Sequence, residues 1–85
     1  MITTAQYSIT TTATKVAEPN GAHATAYLHI VGNAALYVGG PQVTTTTGLI
    51  LRKDHGVFTV NLGPQDALYA IGGEQAETLT VMLIK

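Results

Sequence analysis

Alternation of apolar and polar residues runs through almost the whole of this chain. It has the two-residue period of a strand rather than the 3.6-residue period of a helix. β-Branched and aromatic residues dominate the alternating segments, and Gly, Pro, Asn and Asp separate them at short intervals. The best helical candidate, residues 73–78, is too short to form a helix of structural weight. The chain is therefore predicted to be all-β.

Seven strands are predicted, in a single domain. They cover residues 5–17, 22–31, 35–38, 49–51, 57–62, 67–71 and 78–84. The four consecutive threonines at 44–47 form either a loop or an edge strand in this interpretation. Turns spaced about 8–12 residues apart are typical of antiparallel sandwiches and barrels. We expect a small antiparallel β-sandwich of the jelly-roll type.

Composition limits how such a small domain is stabilised and what it binds. The 85 residues include no cysteine, so neither a disulfide nor a cysteine-based zinc site holds them together. Hydrophobic residues make up 46% and charged residues only 11%, with a formal net charge of -1. Phosphate binding needs clustered Lys and Arg, and the one adjacent basic pair, Arg52 and Lys53, is followed at once by Asp54. Nucleic acid is therefore not an expected partner.

The sequence shows neither a membrane span nor a secretory signal. No run approaches the ~18 apolar residues of a spanning helix. The first residues, Met1 to Thr4, lack the basic stretch and apolar core of a signal peptide. We expect no membrane partner and synthesis in the cytoplasm.

Both ends of the chain point to association between subunits. The strand predicted at 78–84 is apolar on both faces, because Met82 and Ile84 lie opposite Leu79, Val81 and Leu83. A neighbouring subunit is the simplest cover, so we expect a homo-oligomer. Residues 1–14 have one almost purely hydroxylic face. They are predicted to form either an arm that adds a strand to a neighbour or an ordinary edge strand, and residues 15–85 the sandwich domain.

Tyrosines and apolar residues of the first and last strands are the candidate interface residues, because tyrosine is favoured where a ring is buried and its hydroxyl reaches a partner. These candidates are Tyr7, Ile9, Tyr27, Tyr37, Tyr69, Met82 and Ile84.

The histidines do not form a credible metal site within one subunit. His23 and His29 lie six residues apart, on one face of a predicted strand but about 20 Å from each other. Three copies of the same histidine (His23, His29 or His55) could meet at an ion only around a three-fold symmetry axis. The simpler interpretation is that the histidines are exposed or hydrogen-bonded. No metal ligand is predicted.

Catalytic groups are not recognisable either. Asp66 with Glu74 or Glu77 has no spacing that favours a catalytic carboxylate pair, and Asp66 is predicted to be a turn residue that bonds its own backbone. Ser8 lies outside any nucleophile elbow. The glycine pairs 39–40 and 72–73 do not lead into a helix, so they are not phosphate-binding loops. We expect neither an enzyme nor a cofactor.

Several stretches resemble the small virion proteins of tailed bacteriophages. These stretches are residues 27–40 (YLHIVGNAALYVGG), 43–51 (VTTTTGLIL), 58–64 (FTVNLGP) and 67–71 (ALYAI), and the similarity covers about residues 14–84. The resemblance implies a virion structural protein, above all a capsid decoration protein that stabilises the head lattice. It also implies a homotrimer, the major capsid protein as partner and a location in the virion.

Two other functions remain open at this point. One is a head–tail or tail component of the same virion. The other is a carbohydrate- or receptor-binding β-sandwich module, which the absence of tryptophan disfavours.

Overall fold

The computed structural model describes residues 1–19, 21, 23–32, 34–52, 54, 56–73 and 76–85. Within them the chain forms strands and turns, as the alternation predicts. The strands are β1 (Ile2–Ile9), β2 (Thr14–Ala17), β3 (Ala24–Ile30), β4 (Leu36–Gly39), β5 (Leu49–Leu51), β6 (Phe58–Leu62), β7 (Leu68–Gly72) and β8 (Glu77–Ile84).

The eight strands form two antiparallel four-stranded sheets. Sheet A has the order β1-β8-β3-β6 and sheet B the order β2-β7-β4-β5. The first strand pairs with the last, the second with the second to last, and so on inward to β4 and β5. This nested pairing is that of a long hairpin rolled into two layers, which is the jelly-roll arrangement. The predicted fold class is therefore confirmed, with eight strands instead of about seven.

The extra strand arises because the single strand predicted over residues 5–17 is broken. Between β1 and β2 the threonines bond locally: the Thr12 N–H donates to the Thr10 hydroxyl at 3.3 Å, and the Thr14 hydroxyl donates to the Thr12 carbonyl at 3.1 Å. The Thr10 carbonyl accepts the Gly72 N–H at 2.7 Å, which ties this corner to sheet B. Threonine hydroxyls compete with the ladder in this way, so the chain turns and crosses from sheet A to sheet B.

The other threonine-rich segment, residues 44–47, is also a turn. The Thr44 hydroxyl accepts the N–H groups of Thr46 and Thr47 at 3.2 and 3.1 Å, and it lies 3.0 Å from the Thr47 hydroxyl. Of the two alternatives for this stretch, the loop is correct. The turn predicted at 18–21 leads to Gly21, whose φ of 91° is a conformation that glycine adopts without strain. Asn20, which precedes Gly21 in the predicted turn, lies outside the described residues.

The core lies between the two sheets and is apolar throughout. Its largest fully buried strand side chains come from both layers: Ile9, Leu28, Ile30 and Leu79 in sheet A, and Leu36 in sheet B. None of the described residues with a polar or charged side chain is buried. The inward-facing side chains alternate with outward-facing ones along β3, β4 and β7. For β3 the sequence predicts this alternation.

Candidate functional site

Within the described residues, the candidates for metal binding and catalysis do not come together in one site. His23 lies exposed before β3, His29 is exposed on the outer face of sheet A, and His55 is outside the described residues. In the part of the chain that the structure describes, no three His, Cys, Asp or Glu side chains come close enough to hold a metal ion. That part also contains no helix that is long and apolar enough to cross a membrane.

The carboxylates of Asp66 and Glu77 bind different parts of the backbone. Asp66 accepts the Gly63 N–H at 2.8 Å through Oδ2, and its own N–H donates to the Gly63 carbonyl at 3.2 Å. Glu77 accepts the N–H of Ala34 at 2.8 Å and that of Thr78 at 3.0 Å. Glu74 lies outside the described residues. Asp66 therefore closes its own turn, as predicted, whereas Glu77 at the start of β8 binds the segment between β3 and β4.

This role of Asp66 gives a first testable prediction. Asp66→Ala removes the acceptor of the Gly63 N–H and is expected to lower the free energy of unfolding by about 0.5–1.5 kcal/mol. Asp66→Asn keeps an oxygen in the same place and is expected to retain most of the stability. Urea denaturation of the two variants beside the parent checks this. Equal losses in both would show that the negative charge, and not the turn bond, is what matters.

Three of the predicted interface residues share the outer face of sheet A. The register aligns Tyr27 with Met82 and Thr25 with Ile84, so Tyr27, Met82 and Ile84 form one half-buried apolar group. Ile2 pairs with Ile84 and extends this group, with 64% of its surface exposed. The remaining outward side chains of the four strands are neutral hydroxyls and amides and the His29 ring: Thr4, Gln6, Ser8, Thr25, His29, Thr59, Asn61, Thr78 and Thr80.

Two further predicted interface residues, Tyr37 and Tyr69, lie on the outer face of sheet B. Tyr37 pairs with Ile71 on one side and with Ile50 on the other, and all four side chains are half-buried. Sequence inspection did not single out Ile50 and Ile71, because each belongs to a short, wholly apolar run in which periodicity does not separate the two faces.

Lys15 is the charged residue beside this sheet B group. It pairs with Tyr69 in the register and forms a 2.9 Å ion pair with Glu18. The hydrogen bond to Glu18, and then the negative charge of that carboxylate, raise the pKa of Lys15 above its ordinary value. Both side chains are exposed, so this pair adds little to stability.

The other two predicted interface residues lie elsewhere. Ile9 is fully buried between the sheets, so its side chain is not on any surface of the folded domain. Tyr7 faces inward from β1 and packs against the core while remaining half-exposed. The register of β1 with β8 explains both positions: Tyr7 pairs with the buried Leu79, so the odd-numbered residues of β1 face the core.

The edges of the two sheets differ in a way that bears on association. The edges of sheet B are short: β5 has three residues, and β2 has four, with a register irregularity and Lys15. The edges of sheet A, β1 with eight residues and β6 with five, contain no charged side chain, proline or glycine. Charged side chains, bulges and short length usually protect an exposed edge from pairing with another chain. The strand β1 has none of these protections, and β6 has only its moderate length of five residues.

The hydrogen-bond pattern identifies the free backbone groups of β1. Met1 and Lys85 exchange both backbone bonds at 2.9 Å. In an antiparallel pair such bonded positions alternate, so Thr3, Ala5 and Tyr7 bond to β8. The N–H and C=O groups of Ile2, Thr4, Gln6 and Ser8 therefore point away from sheet A, toward a site where another strand fits.

Comparison with known proteins gives a likeness of fold. No protein-family model and no curated protein matches the chain. Among solved structures, it is similar to a chain from Bacillus endospore appendages, described as forming a novel family of disulfide-linked pili. The TM-score is 0.66 and the identity 14%, and the match covers 100% of this chain and 85% of that chain. The likeness shows the sandwich fold.

The function implied by the bacteriophage resemblance is contradicted. The solved structure reported above, which the match relates to 100% of this chain, comes from a bacterial pilus and not from a phage virion. The stretches that carried the resemblance consist of strand residues and turn glycines, which a jelly roll of any origin needs in similar places. The expectations of a capsid partner and a virion location depend on that resemblance alone.

Proposed function

We propose that this chain is a structural protein that acts by associating with copies of itself rather than by catalysis. The observation that carries the proposal is the eight-residue edge strand β1. It has no charged side chain and leaves the backbone groups of four residues unpaired beside the sheet. Unpaired N–H and C=O groups in a row form a template for another strand.

The surroundings of this edge support the same function. The outer face of sheet A next to it is neutral and partly apolar, and only 11% of the whole sequence is charged. So few charges give little electrostatic protection against association. The similar Bacillus chain belongs to a pilus, which is an assembly of this general kind. Since the 85 residues include no cysteine, the proposed contacts between their copies do not involve a disulfide.

The test is the size of the protein in solution, with and without a charge on the free edge. We expect the parent chain to sediment, at tens of micromolar, as species larger than its 8.9 kDa monomer. Gln6→Lys places a charge on the free edge, where incoming ladder bonds would have to form. It is expected to weaken association at least about tenfold, the equivalent of one or two lost hydrogen bonds.

Thr11→Lys is the matched control, because it adds the same charge at an exposed position in the corner between β1 and β2. It is expected to associate like the parent. A parent chain that stays monomeric across the whole concentration range would contradict the proposed function. The predicted trimer remains a prediction that the same sedimentation data address.

A further inference from the structure

We infer that the β6 edge of one copy pairs antiparallel with the β1 edge of the next, so that sheet A continues from copy to copy in a head-to-tail row. This inference rests on the proposed self-association and specifies which surfaces meet. Three independent features of sheet A support it: the direction of its edges, the positions of its free backbone groups, and a cleft beside β1.

The direction of the edges suits a head-to-tail row. Each neighbouring pair in the order β1-β8-β3-β6 is antiparallel, so β1 and β6 run in opposite directions. A second copy moved sideways without being inverted therefore presents its β1 antiparallel to the β6 of the first copy. Because adjacent strands in a sheet are twisted, successive copies rotate, and an open heterologous contact of this kind produces a helical filament.

The free backbone groups of the two edges also match. The Val31 N–H donates to the Thr78 carbonyl at 3.0 Å, so the odd-numbered residues of β3 bond to β8. Its even-numbered residues then bond to Phe58, Val60 and Leu62, which leaves the N–H and C=O groups of Thr59 and Asn61 on the free side of β6.

The free groups of both edges thus belong to residues whose side chains point to the outer face. Pairing Thr59 and Asn61 with Thr4 and Gln6, or with Gln6 and Ser8, aligns the outer faces of two copies. The core faces are aligned at the same time, with no shift of the pleat. The side chains brought together on the outer face are neutral hydroxyls and amides, which form favourable cross-strand pairs.

The cleft beside β1 favours β6 over a second β1 as the incoming strand. A cleft of about 280 Å³ lies where β1 and β2 flank the open side of the sandwich. The inner-facing residues of β1 and β8 line it, Thr3, Ala5, Tyr7, Val81 and Leu83, together with Val16 and Ala17 of β2 and the charged residues Lys15, Glu18 and Lys85. An incoming β6 brings Phe58 and Val60, two large half-buried side chains, to the same inner level. An incoming β1 brings Tyr7 together with the small side chains of Thr3 and Ala5, so it has one large side chain on this face where β6 has two apolar ones, and it fills less of this space.

The experiment is a mixing test with two proline variants. Gln6→Pro removes a donor from the free side of β1, and Thr59→Pro removes one from the free side of β6. Neither substitution removes a bond inside sheet A, since proline is tolerated on an edge strand where its nitrogen faces outward. Ala5→Pro is the control, because the Ala5 N–H is assigned to a bond with β8 and not to the free side of β1. This substitution removes that bond and is expected to unfold the domain. Native mass spectrometry resolves the two variants by their masses.

We expect each proline variant to be folded and monomeric by itself, because every head-to-tail contact needs one β1 and one β6. Their equimolar mixture is expected to form a dimer that contains one copy of each and grows no further. Dimers of Thr59→Pro alone would show β1–β1 pairing and overturn the inference, as would parent-like assemblies of either variant. If a proline variant fails to fold, Gln6→Lys and Thr59→Lys replace the pair with the same expectations. A monomeric parent chain would instead contradict the proposed function.

Discussion

Replacement of Leu79 by alanine is expected to lower the free energy of unfolding by about 2–5 kcal/mol. Leu79 is fully buried at the centre of sheet A, where it lies between Tyr7 of β1 and Ile30 of β3. Its truncation leaves a cavity that strands on both sides cannot close without breaking their pairing. A domain of 85 residues has roughly 4–13 kcal/mol of stability in total, so this single change removes a large part of it.

Leu49→Ala is the matched control for this prediction. Leu49 is also a strand leucine, but 55% of its surface is exposed at the short edge strand β5. Its truncation is expected to cost less than about 0.5 kcal/mol. Urea denaturation followed by far-UV circular dichroism measures both, at one low protein concentration so that association does not add to the apparent stability. Similar losses for the two leucines would contradict the arrangement of the core.

Much of the fold follows from local sequence. The alternation in residues 24–30 predicts both the strand and its inward face, because one polar or aromatic residue separates each aliphatic residue from the next. The jelly-roll class follows from the number and spacing of such segments. The order of the strands does not, since pairing of β1 with β8 joins the two ends of the chain and leaves no local trace in either segment.

The break between β1 and β2 shows what alternation alone misses. Residues 10–13 continue the pattern of the preceding strand, and the side chains that end it are hydroxyls that fit equally well in a strand or a turn. A contact from far along the chain acts together with the local threonine bonds, because the Gly72 N–H donates to the Thr10 carbonyl and holds the corner against sheet B. Moreover, the carbonyl oxygens of Ile9 and Thr10 both lie 3.4 Å from the position that a Cβ on Gly72 would occupy, so the corner packs closely against this glycine.

The candidate site depends on topology in the same way. The sequence predicts Tyr27, Met82 and Ile84 as separate interface residues, and the register of sheet A brings them together. The free groups of β1 and β6 are main-chain atoms, so no side-chain motif marks them. They become visible only when the strand order shows which two strands lie at the edges and the ladder shows which residues face outward.

The N-terminal segment is the subject of the second prediction with a large expected effect. In the structure β1 is part of sheet A, and Ile9 at its end is fully buried, whereas Ile2 at its start is 64% exposed. Ile9→Ala is expected to lower the free energy of unfolding by about 2–5 kcal/mol. Ile2→Ala, the same substitution in the same strand, is expected to cost less than about 0.5 kcal/mol.

The two isoleucines decide between the two roles that the sequence leaves open for residues 1–14. A strand that belongs to its own domain transmits the loss of Ile9 to the whole cooperative unit, because Leu79 and Val81 of β8 lose their cover when β1 detaches. An arm that is mobile in the free protein contributes nothing to the unfolding equilibrium, so both substitutions would then be silent. Urea titrations at a concentration where the chain is monomeric measure the difference. A silent Ile9→Ala would mean that β1 docks only in the assembly, as a strand added to the sheet of a neighbouring copy.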